Sequence, residues 1–283
     1  MNVILPEKEK ISKKRMSVYI ISAIVCILAI IVVIGIQVLG DDVIDNLFGI
    51  NKITKRTEQE EAELKSNFEN IFDNKLEDRG NYTTQKIETN KEIVYTSYQK
   101  EEKKENYEIK VDLPYINIKN NTIQKFNQEM SNTYEAKAKE IIESKEKNIV
   151  YMVKYKAYIE NNILSIIVYS NLKQDTSAQR IIIQTFNFNL EENKELKLED
   201  VLKIYDLNKN EVQNKINTDI KEEQRKTDEL KELGYNMFSR EIESDIYKVE
   251  NITEYFIYNN NIYIIFAYGN SQLTTEMDIV IIW

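Results

Sequence analysis

The chain has 283 residues, a formal charge of −9, no histidine and one cysteine. Without histidine it cannot hold a Ser-His-Asp or Cys-His nucleophile system or a histidine-based zinc site, and its acidic balance disfavours binding to nucleic acid. Because the one cysteine, Cys26, lies in a long apolar run, we also expect no disulfide, no metal site and no cofactor in the rest of the chain.

The first predicted element is a transmembrane helix over residues 18–39. This apolar run carries no charge and would form about 33 Å of helix, enough to cross a hydrocarbon core of about 30 Å. The tail before it, residues 1–17, has a net charge of +3, whereas Asp41 and Asp42 follow the run. Because positively charged flanks stay in the cytoplasm, we expect a single-pass cell-membrane protein with a cytoplasmic N-terminus and an extracellular C-terminal part.

A cleaved signal peptide is the alternative interpretation of the same run. Val38-Leu39-Gly40 would suit a signal peptidase, and cleavage after Gly40 would release the outer part from the membrane. The apolar regions of signal peptides usually span about 7–15 residues, so the length of this run favours an uncleaved anchor. Removing the +3 of the tail from the −9 of the chain leaves −12 for the remainder, a charge that would attract a cationic partner.

Residues 40–92 are predicted to form a juxtamembrane helix and a linker. Between residues 54 and 76, four apolar residues recur at helical spacing, and the glutamate-rich start suits a helix N-terminus. Packing against the rest of the fold is favoured over a free stalk, because two of the four are phenylalanines that a stalk would expose. Residues 77–92 are predicted to be a polar loop. The four apolar residues are Leu64, Phe68, Ile71 and Phe72.

Residues 93–190 are predicted to form a module of strands around one helix. Apolar and charged residues alternate from residue 107 to 113, which is typical of a half-buried strand. The adjacent asparagines Asn161 and Asn162 tolerate the positive φ that a tight hairpin turn requires. The predicted strands cover residues 93–98, 107–118, 149–159, 163–170 and 180–190, and the predicted helix covers residues 121–144.

Residues 191–283 are predicted to form a second module, which ends in a hairpin and a final strand. Together the two modules predict an α+β fold in which antiparallel sheets pack against long helices, preceded by the transmembrane helix. In this module a helical turn is predicted over residues 198–202, helices over 208–232 and 239–249, and strands over 252–258, 262–267 and 274–283.

The stretch from residue 267 to 278 is the predicted ligand- or partner-binding site. It is rich in turn-forming and hydrogen-bonding side chains, which suits a recognition loop, although a plain strand connection explains it as well. We expect no catalytic residue and no metal ligand there. The candidate binding residues are Tyr268, Asn270, Gln272, Thr274, Glu276 and Asp278.

Two carboxylates in this stretch leave a catalytic alternative open. If residues 274–283 form a strand, Thr274, Glu276 and Asp278 share one face, and residues two apart on a strand lie about 6.6–6.8 Å from each other. That spacing is loosely compatible with a paired-carboxylate hydrolase. Alternation alone also explains the pattern, as the solvated face of a half-buried strand.

Three segments of the outer part carry a family resemblance. They read YEIKVDLPYINIKNNTIQKFNQEM, then YKAYIENNILSIIVYSN with QTFNFNLEENKELKLEDVL, and finally FIYNNNIYIIFAYGNSQLTTEMDIVII. They resemble the extracytoplasmic part of the RsiV-like (anti-sigma-V factor) family and the module that precedes the catalytic domain of PdaC peptidoglycan deacetylases. The resemblance implies a PdaC/RsiV-type N-terminal module over residues 93–190 and an RsiV-like C-terminal domain of unknown function over residues 191–283.

The chain departs from the family pattern in three respects. Family members often carry a Gly-Gly-Ala-His stretch after the hairpin, where this chain has residues 174–179, QDTSAQ. Residues 1–17 are short and basic for a folded sigma-factor-binding segment. Because the chain has no histidine, the deacetylase activity of the PdaC relatives does not carry over.

The sequence therefore predicts a membrane-anchored extracytoplasmic binding or sensing protein rather than an enzyme. The Asn-, Ile- and Lys-rich composition is typical of an AT-rich bacterial genome, which places the protein in a bacterial cell envelope. The partner is an unknown protein or cell-wall ligand, and the RsiV resemblance implies a cationic, lysozyme-like one. A cell-wall polymer hydrolase that uses Glu276 and Asp278, and a structural envelope protein, are the alternatives.

Overall fold

The computed structural model describes residues 56–282 except Lys145, Ser271 and Leu273. The predicted cytoplasmic tail and transmembrane helix, residues 1–39, lie outside the described residues. No helix in the described range has both the length and the hydropathy that a membrane span requires. The described residues belong to one compact unit, Ile53–Trp283, and the predicted boundary at residue 190 between two modules stays a prediction.

A seven-stranded mixed sheet forms the centre of this unit. Its strands follow the order β2-β3-β4-β5-β6-β7, and the short strand β1 pairs with β4. The pairings of β4 with β3 and with β1 are parallel, so the prediction of purely antiparallel sheets is wrong there. The strands span Leu76–Asp78 (β1), Val94–Lys103 (β2), Tyr107–Ile116 (β3), Ile149–Glu160 (β4), Ile163–Gln174 (β5), Arg180–Asn189 (β6) and Lys194–Glu195 (β7).

A helical segment between β3 and β4 makes the crossover that a parallel strand pair requires. Helix α2, Asn121–Glu129, continues through a π-helical turn, Met130–Glu135, into helix α3, Ala136–Glu143. The side chain of Asn120 accepts hydrogen bonds from the first backbone N–H groups of α2, which satisfies donors that have no partner within the helix. The predicted helix over residues 121–144 is confirmed.

The other helices differ from the prediction mainly in length. Helix α1, Glu58–Asn67, begins at a capping box between Thr57 and Glu60 and gives way to a 3-10 turn, Phe68–Ile71, so it is shorter than predicted. Helix α5, Lys209–Glu232, confirms the prediction over residues 208–232. The predicted helix over residues 239–249 is wrong. In its place lie the 3-10 turns Asp245–Tyr247 and Val249–Asn251. Helix α4, which precedes α5 in the chain, spans Leu198–Ile204.

A small antiparallel sheet with the order β10-β9-β8 closes the chain. Asn259 and Asn260 form the two-residue turn between β8 and β9 with φ values of 51° and 58°, as the asparagine-rich sequence predicts. The final strand begins three residues later than predicted. The strands span Tyr255–Tyr258 (β8), Asn261–Ala267 (β9) and Met277–Ile282 (β10).

Three buried clusters join these elements into layers, which confirms the α+β class. Helices α2 and α3 pack on one face of the large sheet. The opposite face packs against the small sheet through a buried cluster that includes Ile183 and Ile265. Helix α5 covers the outer face of the small sheet through a second cluster that includes Ile216 and Ile264. Burial of each such isoleucine contributes about 1.5–3 kcal/mol, and the order of layers leaves β10 at an edge between α1 and α5.

Candidate functional site

The predicted binding stretch forms a 3-10 turn, Tyr268–Asn270, an irregular connection and strand β10. Thr274 and Glu276 precede β10 instead of lying on it, so they do not share a strand face with Asp278. Glu276 and Asp278 are brought together with Tyr268, as described below. Gln272 is exposed, and it is joined to Tyr268 by a backbone hydrogen bond from Gln272 N to Tyr268 O.

Asn270 and Thr274 attach the turn to β6. The Asn270 side chain accepts a hydrogen bond from Ile183 N at 3.2 Å and donates one to Ile183 O at 3.1 Å. Ile181 N donates to Thr274 O, and Arg180 Nε donates to Gly269 O at 2.6 Å. Both candidate residues therefore have partners within the fold.

Asp278 does not lie on a solvated face, so that interpretation of the last strand is wrong. Asp278 is 5% exposed, and its side chain forms a two-pronged ion pair with Arg240, at 2.5 Å from Nε and 2.7 Å from Nη2. Tyr268 Oη donates to the same carboxylate at 2.5 Å, and the Tyr247 hydroxyl lies 2.8 Å from that of Tyr268. The reason for the burial is the α5 layer, which covers this part of β10.

The Arg240 guanidinium is held from several sides. It is 8% exposed and donates to Thr227 Oγ1 on α5. Burial on its own would lower the pKa of Arg240, but the hydrogen bonds and charge of Asp278 outweigh burial and raise it above the usual value. The pKa of Tyr268 is also raised strongly, by burial and by the adjacent Asp278 carboxylate. Both groups therefore keep their protons at any physiological pH.

Glu276 lies at the margin of this cluster. Its Oε1 accepts a hydrogen bond from Phe238 N at 2.6 Å. Its Oε2 is buried without a hydrogen bond and lies 3.7 Å from Arg240 Nη2, close enough for charge attraction but too far for a hydrogen bond. Phe238 stacks on Tyr268 with ring centroids 4.2 Å apart. The segment before Arg240 is thus fixed against β10.

Sequence reasoning missed Arg240 and Tyr247, because it assigned residues 239–249 to a helix. It also missed Thr227, which lies on the predicted helix over residues 208–232, because the apolar spacing of that helix does not indicate a polar partner. One signal was present in the sequence: Arg240 is the one basic residue between residues 233 and 247, a range that holds three acidic residues. That signal is weak without a fold, since isolated arginines usually lie on the surface.

Next to this buried cluster, an open groove runs along strand β10. Its volume is about 520 Å³, within the range of about 300–1,000 Å³ that is typical of ligand sites. We call it the edge groove. Its walls are the end of α1 with the 3-10 turn after it and the middle of α5, and its floor is β10. The lining residues are Lys65, Ser66, Phe68, Glu69, Asn70, Asp219, Ile220, Glu223, Met277, Asp278, Ile279 and Val280.

Within residues 56–282, the backbone on the groove side of β10 pairs with no described strand. Tyr268 N donates to Glu276 O, and this bond sets which residues of β10 face β9. Because hydrogen-bonded and non-bonded pairs alternate in an antiparallel ladder, Asp278 and Val280 direct their N–H and C=O groups toward β9. The groups that point away from β9 belong to Met277, Ile279 and Ile281.

At the opposite edge of the small sheet, the outward backbone groups of β8 do have hydrogen-bond partners. On β8, Tyr255 N donates to Thr185 Oγ1 and Tyr255 O accepts from Asn187 Nδ2, while Ile257 N donates to Ser165 Oγ. Side chains of the large sheet thus satisfy the outer backbone of β8. Within the described ranges, no hydrogen bond from another element reaches the outward backbone groups of β10.

A network of ion pairs holds α1 beside the edge groove. No residue of α1 is buried. Instead Glu61 lies 3.0 Å from Lys65 and 2.8 Å from Lys215 of α5, and Asp219 lies 2.8 Å from Lys215 and 3.6 Å from Lys65. Burial raises the pKa of Asp219, whereas hydrogen bonds from Lys215 and Lys65 outweigh burial at Glu61 and lower its pKa to about 2. These charges fix one wall of the groove.

Replacing Glu61 with glutamine is expected to loosen α1 without unfolding the protein. Because its pKa is depressed, Glu61 contributes its full stabilisation above about pH 4.5 and loses it as the pH falls toward 2. Partly exposed pairs of this kind contribute about 0.2–1 kcal/mol. Hydrogen exchange of the α1 amides should therefore speed up a few-fold at pH 7. Glu63→Gln, on the exposed face of the same helix, is the control, and equal exchange in both variants would contradict the expectation.

Comparisons with known proteins give no family assignment. No family model and no curated protein matches the chain. The solved structures that are similar to it include a DUF3298 family protein from Pseudomonas aeruginosa PAO1, with 13% identity and a TM-score of 0.30, and a member of the same family from Bacteroides fragilis NCTC 9343, with 9% identity and a TM-score of 0.32. The resemblance to the RsiV-like family stays a prediction.

The similarity to these structures is partial. The first match covers 43% of this chain and 57% of the Pseudomonas protein, and the second covers 56% of this chain and 74% of the Bacteroides protein. The chain thus spans just over half the length of the first of these proteins.

Proposed function

We propose that this protein is a single-pass, membrane-anchored binding or sensing protein on the outside of a bacterial cell envelope, with the edge groove as its ligand site and no catalytic activity. The uncharged run at residues 18–39 and its basic flank support the location. The observation that carries the binding role is the open groove along a strand edge whose outward backbone groups have no partner among the described residues. The RsiV resemblance adds a cationic, lysozyme-like partner to the proposal.

The geometry around Asp278 favours binding over the hydrolase alternative. A paired-carboxylate hydrolase needs one carboxyl group on each side of an accessible scissile bond. The Asp278 carboxylate is instead enclosed, neutralised by Arg240 and hydrogen-bonded to Tyr268. Glu276 is hydrogen-bonded to Phe238 N. Neither group can reach a polymer without rearrangement of the Arg240 cluster.

Purified full-length protein is therefore expected to release no soluble fragments from peptidoglycan. Glu276→Gln keeps the carbonyl oxygen that accepts from Phe238 N, so this variant should fold and behave as the unsubstituted protein does. Fragment release that the substitution abolishes would establish the hydrolase alternative and overturn the non-catalytic interpretation.

The binding site can be tested by photo-crosslinking in intact cells. A photo-reactive phenylalanine analogue placed at Ser66, which lines the groove, is expected to form an adduct with an envelope component. The same analogue at Lys110, an exposed residue of β3 that does not line the groove, should form none. Equal adducts at both positions, or none at Ser66, would contradict the proposed site and leave the structural envelope role as the better interpretation.

The predicted orientation has its own test. Protease added to protoplasts should cut the chain after residue 55 while a tag placed before residue 18 stays protected. A chain that is cut only after lysis would contradict the extracytoplasmic location.

A further inference from the structure

We propose that a second cleft of this protein, beside Glu254, binds a primary ammonium group on an apolar stem, as the side chain of lysine carries it. The cleft lies where the chain enters β8, between residues 251–254, the end of β9 and the turn Tyr268–Asn270. We call it the Glu254 cleft. It shares no described lining residue with the edge groove, so this inference goes beyond the proposed function and does not depend on it.

Neutral donors hold the carboxylate of Glu254 in place. Its Oε2 accepts hydrogen bonds from Thr185 N at 2.7 Å and from Thr185 Oγ1 at 3.0 Å, which attach the segment before β8 to the outer edge of β6. Thr253 is a further hydrogen-bond neighbour. Because a carboxylate offers about four acceptor sites, one remains for a donor that enters the cleft.

This carboxylate has no counter-charge among the described residues. Burial raises the pKa of Glu254, and hydrogen bonds from Thr185 and Thr253 oppose that rise. No described lysine or arginine is among the groups that shift this pKa. A buried charge without an opposite charge is costly, and an ammonium group brought next to the carboxylate would reduce that cost.

The residues on the helix side of β6 add negative charge to this region. Burial raises the pKa of Tyr134 in the π-helical turn, and the carboxylates of Glu254 and Glu129 raise it further. Glu129 Oε2 accepts a hydrogen bond from Gln184 Nε2 at 3.0 Å. Two carboxylates therefore act on the same tyrosine hydroxyl, and neither of them is neutralised there.

Three basic residues lie near the borders of the cleft, and each is engaged elsewhere. Arg240 is paired with Asp278, and Lys248 lies 2.6 Å from Asp245. Arg180 donates to two backbone carbonyls of the turn that follows β9. Arg180 is five positions from Thr185 along β6, roughly 16 Å of strand. None of the three supplies the charge that Glu254 lacks.

The size and the walls of the cleft suit an alkyl stem. Its volume is about 190 Å³, which is about six times the volume of one water molecule in the liquid. The four methylenes and the nitrogen of a lysine side chain are five groups of similar size. Half of the ten described lining residues are apolar, and none is basic. The apolar ones are Ile246, Ile252, Ile265, Phe266 and Ala267.

The donor set distinguishes an ammonium group from a metal ion and from a guanidinium group. Calcium takes about six to eight oxygen ligands, whereas the described lining holds one carboxylate. A guanidinium group pairs best with both oxygens of a carboxylate, but Oε2 of Glu254 already accepts two bonds from Thr185. An ammonium group is a compact charge with three donors, so one remaining acceptor site is enough for it.

Binding of blocked amino acids to the full-length protein in detergent micelles tests this assignment. The probe is lysine acetylated at its α-nitrogen and amidated at its carboxyl end. The control is the norleucine analogue, which has the same stem without the ammonium group. The affinity is read from the rise in unfolding temperature with probe concentration at constant ionic strength. Lysine should bind about tenfold more tightly than norleucine, and more tightly than the blocked arginine.

A matched pair of variants tests the role of the carboxylate. Glu254→Gln keeps a carbonyl oxygen for Thr185 and removes the charge, so lysine should bind to it no more tightly than norleucine does. Glu250→Gln is the control, because Glu250 pairs with Lys209 and does not line the cleft; it should bind lysine as the unsubstituted protein does. Without probe, Glu254→Gln should unfold at the same or a higher temperature at pH 7, since it removes an uncompensated buried charge.

The pH dependence gives a test that leaves the sequence unchanged. The amine of lysine has a pKa of about 10.4, so it stays charged while Glu254 titrates. Because burial raises the pKa of Glu254, a proton competes with the ammonium group for the carboxylate at a higher pH than it would in water. The affinity for lysine should therefore rise as the pH rises through that pKa, and Glu254→Gln should show no such rise.

Each outcome decides the proposal. Equal affinity for lysine and norleucine, tighter binding of arginine, unchanged binding by Glu254→Gln, or an equal loss in Glu250→Gln would overturn it. Butylammonium identifies the source of the ligand: affinity equal to that of blocked lysine assigns the cleft to free alkyl amines, and weaker affinity assigns it to a lysine in a polypeptide. A specific adduct at Ser66 without lysine binding would overturn this inference while the proposed function stands.

Discussion

Replacing Arg240 with methionine is expected to destabilise the folded protein by about 3–5 kcal/mol, the usual cost of removing one partner of a buried ion pair. The Asp278 carboxylate would lose its partner in a site that is 5% exposed, and among the described side chains the Tyr268 hydroxyl would remain as its donor. Thr227 would lose the guanidinium that donates to it. Urea unfolding of the Ile53–Trp283 unit, followed by circular dichroism, measures the change as a shift of the midpoint.

Two further variants separate the buried pair from a general effect of lost charge. Arg225→Met removes an arginine from exposed ion pairs with Glu222 and Glu229 on α5 and should leave the urea midpoint almost unchanged, because solvent screens such pairs. Arg240→Met combined with Asp278→Leu removes both charges and should recover much of the lost stability, because no uncompensated carboxylate remains. A loss below about 1 kcal/mol for Arg240→Met alone would contradict the assignment of a buried ion pair.

The same cluster determines what β10 can do. With Asp278 held inward by Arg240, the side chain that the sequence placed on a binding face serves to anchor the strand. The Asp278 side chain is thereby unavailable to a ligand that enters the edge groove.

The elements with regular periodicity could be predicted from the sequence. Strand alternation near residue 107, the Asn161-Asn162 turn and the apolar spacing in α5 all reappear in the structure, because each depends on neighbours within a few residues. The parallel pairing of β3 with β4 could not be predicted in this way. It depends on where the intervening helix packs, which no local pattern records.

The candidate site also depends on tertiary packing that no local sequence pattern records. The alternation at residues 274–278 is compatible with a strand whose polar face meets water, and the sequence contains no sign that α5 covers that face. Arg240 lies 38 positions from Asp278, so their pairing is a product of the tertiary fold. The position of β10 at the edge of the described strands cannot be read from the sequence either, since it depends on how the strands are ordered in the sheet.

Replacing Gly269 with alanine is expected to cost about 3 kcal/mol, at the upper end for an overpacked site. A Cβ atom at this position would lie 2.0 Å from Ile181 O and 2.8 Å from Thr274 O. Both are backbone atoms, so the clash can be relieved only by moving the turn away from β6. That movement would break the bond from Ile181 N to Thr274 O and displace the chain that leads into β10.

The matched control is Gly234→Asn, and the comparison distinguishes a close backbone approach from a loss of glycine flexibility. Gly234 has a φ of +90°, and a Cβ atom added there would meet no atom within 4 Å. Asparagine tolerates the left-handed region at a cost well below the 1–2 kcal/mol of other residues, so we expect a loss of less than about 1 kcal/mol. Gly269→Ala should also speed hydrogen exchange at Ile181 and Ile183, where the turn is bonded to β6, whereas Gly234→Asn should not. If both variants lost equal stability with unchanged exchange at β6, the contact between the 268–274 turn and β6 would not be what positions β10, and the geometry of the edge groove would have to depend on the Arg240 cluster alone.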